Sequence, residues 1–376
     1  MCHVTRLAIA VAALLVGTPT PAALLYEDDD SELTLEGELE WDFDHYTTRS
    51  TSLFSREADD RGVESSQYTS LSLDLSGERD RDGRHMAFTL QPYLEDDGYL
   101  GFDDVWFALG NDAGLEVRFG RFEAYDLFPL GQDVLVDYGG DTSDDLYIDG
   151  EGYVYQVLEG IGPSDSAFQA MISYQGEVLY AEVSTLFGER LTLFDDDTYH
   201  GYAIAPHHKE AIIVRPVVAW EPGPWRVAAG LEANLVDDAV VDETGADISA
   251  RTGYGLTLGY AGEELEINVN LAYMDAYRER DLTMGVNLIW DALGLGYIHA
   301  RNTIDSVAPA AEEDDIIAGR YTIDTVYASY DLSGLVTVAD LETYLGAFYS
   351  RIDHDAADDL SDTHSHGLRL QLTYPF

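Results

Sequence analysis

Apolar residues recur at every second position along most of the chain. Near the C-terminus Leu368, Leu370, Leu372, Tyr374 and Phe376 share one face of an extended segment, and Arg369, Gln371 and Thr373 share the other. Near the N-terminus Leu33, Leu35, Leu39, Trp41 and Phe43 alternate with Thr34, Glu36, Glu38, Glu40 and Asp42. A period of two marks a strand with unlike faces, not a helix. Followed through the sequence, it predicts sixteen strands. They cover 33–43, 69–75, 86–94, 105–109, 115–119, 167–174, 179–187, 212–220, 225–235, 252–260, 265–273, 282–290, 293–301, 321–330, 341–351 and 368–376.

Short turns, such as 111–114, 175–177 and 221–224, are expected to alternate strictly with long polar loops, such as 44–62, 237–247 and 302–320. A soluble sandwich has no reason to gather its long loops at one end, whereas single-chain outer-membrane barrels do so and carry an even number of strands. The carboxylates on the polar faces need water, and Trp220, Trp225, Tyr260, Trp290 and Tyr374 stand near strand ends, as an interfacial girdle requires. The expected fold is therefore all-β, a transmembrane antiparallel β-barrel of about 16 strands with lipid outside and water inside. Its last strand is expected to pair with the first, which removes both edges. The final strand also resembles the C-terminal signature of bacterial outer-membrane β-barrels.

Composition narrows the partners. With 71 acidic and 20 basic residues the formal charge is −51, which excludes nucleic acid and other polyanions. Lys209 is the only lysine. An acidic, lysine-poor chain suits high salt, where repulsion is screened within roughly 3 Å at 1 M; acidic loops that gather divalent cations or repel anions are the alternative. Residues 1–22 combine Arg6, the apolar run Leu7–Val16 and a small-residue end at Ala22, so a cleaved secretory signal peptide is expected, with 23–376 as the barrel. Cys2 falls in that leader, leaving neither a disulfide framework nor a thiol nucleophile.

The segment 122–166 interrupts the strand rhythm, and it is too long for an ordinary connection. The stretch Gly120-Arg-Phe-Glu-Ala-Tyr-Asp-Leu-Phe-Pro-Leu-Gly-Gln-Asp133, with Gly139-Gly-Asp-Thr142 and Ala181 to Arg190, resembles the central region of Gram-negative glycoporins, in particular the raffinose-porin-like family. The resemblance implies that 122–166 folds inward as a constriction loop and that the chain is a homotrimer. It further implies passive diffusion of oligosaccharides and small hydrophilic solutes, without catalytic residues or cofactor.

The residues suit that reading. Tyr125, Phe128 and Tyr138 offer flat faces for sugar rings, and Glu123, Asp126, Asp133 and Asp141 offer acceptors for hydroxyls. Arg118, Arg121, Arg215, Arg226, Arg251 and Arg369 are candidate donors on the wall. An acidic loop facing a basic wall would set a field across the constriction; equally, the arginines could pair with carboxylates and pin the loop. A general cation-preferring diffusion porin is the alternative function, and an outer-membrane hydrolase the alternative of another class. The acidic run Asp144 to Glu151 lacks the spacing of a calcium loop. His207, His208, His354, His364 and His366 are expected in loops or at a strand start, and no metal site is assigned.

Overall fold

The computed structural model describes residues 23–28, 30–49, 61–135, 154–157, 168–188, 198–206, 208–308, 318–336, 338, 340–355 and 363–376. Sixteen antiparallel strands follow one another: β1 (Ser31–Arg49), β2 (Arg61–Arg81), β3 (Arg84–Glu95), β4 (Leu100–Asn111), β5 (Leu115–Arg121), β6 (Phe168–Gln175), β7 (Leu179–Gly188), β8 (Ala211–Trp220), β9 (Trp225–Asn234), β10 (Arg251–Ala261), β11 (Leu265–Ala276), β12 (Glu279–Trp290), β13 (Leu293–Ile304), β14 (Gly319–Asp331), β15 (Glu342–His354) and β16 (Thr363–Pro375). Each pairs with the next, and β16 pairs with β1 from Gly367↔Tyr46 to Pro375↔Glu38, so the sheet closes.

Alternation decides which side faces what. On β10 the outward Tyr254, Leu256 and Leu258 are exposed, whereas the inward Arg251 and Thr257 are buried. The same inversion holds on β11 and β12, where Val269, Leu271, Met284 and Val286 face out and Asn268, Asn270, Thr283 and Asn287 are enclosed. Large apolar side chains outside and polar ones inside make the external belt the lipid surface.

The C-terminal Phe376 completes the seam. Its backbone exchanges hydrogen bonds with Gly37 in both directions, at 2.8 and 2.9 Å. A Cβ on Gly37 would lie 2.5 Å from the Phe376 ring, so glycine makes room for it. One rung further along β1, the short strand Ala23–Glu27 takes over the same edge, pairing from Ala23↔Leu35 to Glu27↔Glu32. The acidic residues ahead of the first expected strand, Glu27, Asp28, Asp30 and Glu32 among those described, thus belong to a hairpin folded back on β1.

Three further expectations are corrected. The first two strands run 19 and 21 residues, far beyond 33–43 and 69–75, and stay paired to Arg49↔Arg61. Their ends project past the lipid band, where neither face needs to be apolar and hydrophobic alternation no longer reports a strand. The turn-rich stretch 77–83, which reads in the sequence as the link from the second strand to the third, shrinks to Asp82 and Gly83, both with positive φ, as a tight hairpin turn demands. Finally, turns and loops do not alternate strictly. β11 and β12 are joined by Tyr277 and Arg278 alone at the long-loop end, and β14 and β15 by 332–341 at the short-turn end. His364 and His366 stand at the start of β16, as expected, and His354 ends β15; His207 lies outside the described residues.

Candidate functional site: an inward loop and an acidic lumen

The chain leaves β5 through Gly120, whose φ of 125° and whose Cβ position, 2.1 Å from the Val105 carbonyl oxygen, admit only glycine. Residues 122–135 then run along the inner wall from β6 to β16. An extended backbone inside a barrel has no strand partner, so the wall supplies donors to its carbonyls. Gln169 Nε2 on β6 donates to Phe122 O at 2.7 Å, and Arg215 on β8 donates to Tyr125 O. Thr257 on β10 reaches Leu127 O at 2.6 Å, while Asn270 and Asn287 on β11 and β12 converge on Pro129 O. Tyr327 and Ser329 on β14 donate to Leu130 O and Gln132 O, both at 2.7 Å, and Arg369 on β16 to Val134 O at 3.3 Å.

Space for the loop comes from inward glycines. A Cβ on Gly230 would fall 2.5 Å from Leu127, on Gly285 2.8 Å from Phe128, and on Gly346 2.8 Å from Val134. Leu127 and Phe128 are buried as a result. A second segment, Val154–Val157, is enclosed as well: Val154 packs with Ile298 and Ile323, and Val157 would meet a Cβ on Gly255 at 2.9 Å. The inward course expected for 122–166 is observed for 122–135 and 154–157; the rest of that range lies outside the described residues.

Two ion pairs underlie the loop. Arg215 Nη1 donates to Glu182 Oε1 at 3.0 Å, and Arg251 Nη2 donates to Glu232 Oε1; all four side chains are at most 2 % exposed. Glu182 also accepts from Tyr125 N at 3.1 Å and from Tyr180 OH at 2.6 Å, and the Tyr125 and Tyr180 rings stack at 5.4 Å. Side chains buried at this depth act on the loop rather than on a passing solute.

Because the loop covers the wall of β6–β16, the open lumen lies against β1–β4. There Glu36, Glu38, Glu40, Asp42 and Asp44 follow one another on the inner face of β1. Ser70 and Ser72 on β2 form a low floor between that row and Gln91, Tyr93 and Glu95 on β3. The result is a cavity of about 680 Å³ with Asp74 and Arg121 also at its edge. Glu123 and Asp133 are exposed on the lumen side of the loop.

The predicted site residues divide accordingly. Glu123, Asp133 and Arg121 border open space; Asp126 accepts Phe128 N at 2.6 Å and shapes the loop; Tyr125 OH reaches Glu221 at 3.0 Å. Arg118 lies 4.2 Å over the Trp106 ring and pairs with Glu116 at 2.9 Å. Arg226 approaches Glu221 at 3.7 Å, and Arg369 holds Asp44 at 2.7 Å and Asp42 at 3.2 Å. Tyr138 and Asp141 lie outside the described residues. The expected basic wall opposite an acidic loop is corrected: among the described residues Arg215 and Arg251 lie beneath the loop, and the wall opposite it is rich in carboxylates. Sequence reasoning missed the side chains that hold the loop, namely Glu182, Thr257, Asn270, Asn287, Tyr327 and Ser329. For Thr257 and Asn287 the signal was a polar residue next to a glycine, Gly255 and Gly285, on the inner face of the strand.

The sequence profile of the family described as porin-like glycoporin RafY matches residues 35–376. The chain belongs to that family. Solved structures similar to this glycoporin-family chain are outer-membrane porins and related barrels. An anion-selective porin from Comamonas acidovorans is 15 % identical, with 92 % of this chain and 100 % of that chain covered and a TM-score of 0.57. OmpT, an outer membrane protein of Vibrio cholerae described in a trimer form, is 12 % identical over 93 % and 100 %, with a TM-score of 0.55. At such identities the likeness concerns the fold. No curated protein matches the chain. Family and barrel together make this chain an outer-membrane porin.

Proposed function

We propose that this porin passes oligosaccharides and other small hydrophilic solutes by passive diffusion, and that its lumen favours cations over anions. The observation that carries the proposal is the placement of the open lumen. The loop occupies one side of the barrel, and the remaining passage follows the carboxylates of β1, with Tyr68 and Tyr93 beside them. Carboxylates accept from sugar hydroxyls, and the tyrosine rings present apolar faces to sugar rings. The same carboxylates attract cations through the field they focus in a narrow, low-dielectric passage. The family description supports sugars as the solute class.

The reading assigns no catalytic residue and no cofactor. It takes 1–22 as an export signal and the working form as a homotrimer in outer-membrane lipid. Planar-bilayer recording tests it: a reversal potential displaced toward the cation value, with current blocked by added oligosaccharide, is the expected result. Cation selectivity without block by any oligosaccharide removes sugars from the proposal; anion selectivity removes both halves. Hydrolysis of lipid or ester substrates by the purified protein, lost on changing one Ser or His, would point to an enzyme instead.

A further inference from the structure

At the short-turn end, which faces the periplasm in barrels of this kind, most connections close on polar tips, with Asp82, Asp112, Glu177, Glu263 and Asp291 at the turns. The link 332–341 between β14 and β15 differs. It contains a 3-10 turn, Ser333–Leu335, and neither lysine nor arginine. Leu335 is 78 % exposed, more than any other large apolar side chain among the described residues, those of the lipid belt included, and Val338 is 54 % exposed. The turn is firmly built. Leu335 N donates to Leu332 O at 2.8 Å, Ser333 N to Asp331 Oδ1 at 2.8 Å, and Thr343 N to Ser333 Oγ at 2.9 Å, which fixes it against the start of β15.

Thr343 shows which way the link projects. Register sets it opposite Leu372, on the lipid face, and Leu332 N donates to Thr343 O at 2.7 Å. Outward residues on these strands are open even when small, since Ala328 and Ala347 stay partly exposed. Thr343 is instead enclosed, and its Oγ1 has no hydrogen-bond partner among the described residues. An outward side chain is enclosed to this degree only when chain lies over it on the lipid side, and the segment bonded there is the link. The level is that of the belt: Leu372 pairs with Trp41, and the apolar outward face continues beyond it to Tyr374 beside Leu39. The link therefore folds sideways over the wall, within the height of the apolar surface.

We infer that 332–341 is a lateral foot that seats Leu335 and Val338 in the periplasmic lipid leaflet, at the boundary between acyl chains and headgroups. Apolar side chains gain by leaving water, and lipid is the apolar phase that the outward faces of β15 and β16 already meet. Irregular backbone is excluded from the hydrocarbon itself but finds water at the interface, so the foot lies shallow. Composition decides how it is held. Asp331, Asp340 and Glu342 surround it without a single cation, and anionic headgroups attract basic segments; acyl chains, not headgroup charge, draw it in. The inference rests on the outer-membrane barrel and not on the solute that passes through it.

Fluorescence quenching in phosphatidylcholine vesicles tests it. Each chain carries Cys2→Ser and one fluorophore, on Leu335→Cys, on Val338→Cys, or on Ala113→Cys in a polar turn at the same end. A lipid nitroxide near the glycerol backbone is expected to quench the labels at 335 and 338 several-fold more than the label at 113, and aqueous iodide to do the reverse. Adding phosphatidylglycerol should leave that ratio unchanged. Equal quenching at all three positions overturns the inference, as does a difference that arises only with phosphatidylglycerol. Labels at 335 and 338 shielded from nitroxide and iodide alike overturn it too, because protein rather than lipid would then cover the foot.

Discussion

Replacing Arg215 by methionine probes how the inward loop is held. Arg215 gives one bond to Glu182 and another to Tyr125 O, on the first stretch of the loop. Methionine fills much of the space but leaves the fully buried Glu182 with only Tyr125 N and Tyr180 OH. Leaving one partner of a buried pair uncompensated costs about 3–5 kcal/mol, and the orphaned carbonyl adds about 1 kcal/mol. Against this, burial of Leu127 and Phe128 contributes about 1.5–3 kcal/mol each. The bonds from Thr257, Asn270 and Asn287 contribute about 1 kcal/mol each. The opposing totals are of similar size, so the loop is expected to stay docked most of the time. Its excursions should become about three to four powers of ten more frequent, because each 1.4 kcal/mol is about a factor of ten. In single-channel recordings the variant should show greater open-channel noise with brief steps of higher conductance. Adding Glu182→Gln removes the stranded charge and should quieten the channel again. Noise in Arg215→Met equal to the parent's, or a double variant noisier than the single one, would refute the reasoning.

Four more outcomes are expected. Gly285→Leu drives a side chain into Phe128, whose ring already lies 2.8 Å from the Cβ position, and should displace the middle of the loop and change conductance while the barrel still folds; circular dichroism checks the fold. Leu370→Arg sets a charge on the lipid face of β16 opposite Phe43 and should cost about 2–4 kcal/mol, read as a lower denaturant midpoint of the folded barrel. In the β9–β10 loop Asp242 sits below the ordinary carboxylate range: burial alone would raise it, but bonds from Thr244 Oγ1, Ala246 N and Thr244 N and the charge of Arg278 outweigh burial. Its contribution is present above the ordinary carboxylate pKa and is lost as pH falls through the depressed one, so Asp242→Asn should flatten the acid limb of that loop's proteolysis profile. Desalting extends the reach of the acidic repulsion from roughly 3 Å at 1 M to roughly 30 Å at 0.01 M, and the thermal midpoint should fall with it; an unchanged midpoint would remove the high-salt reading.

Strand number, order and the β16–β1 seam were legible because lipid imposes alternation on every residue it touches. Where lipid ends, the signal ends too. The stretch Asp44–Arg49 is polar on both faces, and its pairing with Arg61–Ser66 is visible only in space. The start of the inward loop was legible from the broken rhythm after β5. Its route was not, because the donors that bind its carbonyls come from strands spread along the chain, 47 residues away for Gln169 and 235 for Arg369. Single arginines were equally ambiguous. Arg215 and Arg121 both precede or follow apolar neighbours, yet one is buried beneath the loop and the other borders the cavity.

The arrangement at the seam has a practical side for anyone producing this protein. Phe376 ends on Gly37, and the next rung of the β1 edge already belongs to Ala23–Glu27. Any peptide fused after Phe376 would compete for that edge with the N-terminal strand and push the terminal ring off its glycine. Affinity handles therefore belong elsewhere, and the exposed Asp82–Gly83 hairpin tip is a site where an insertion meets neither partner.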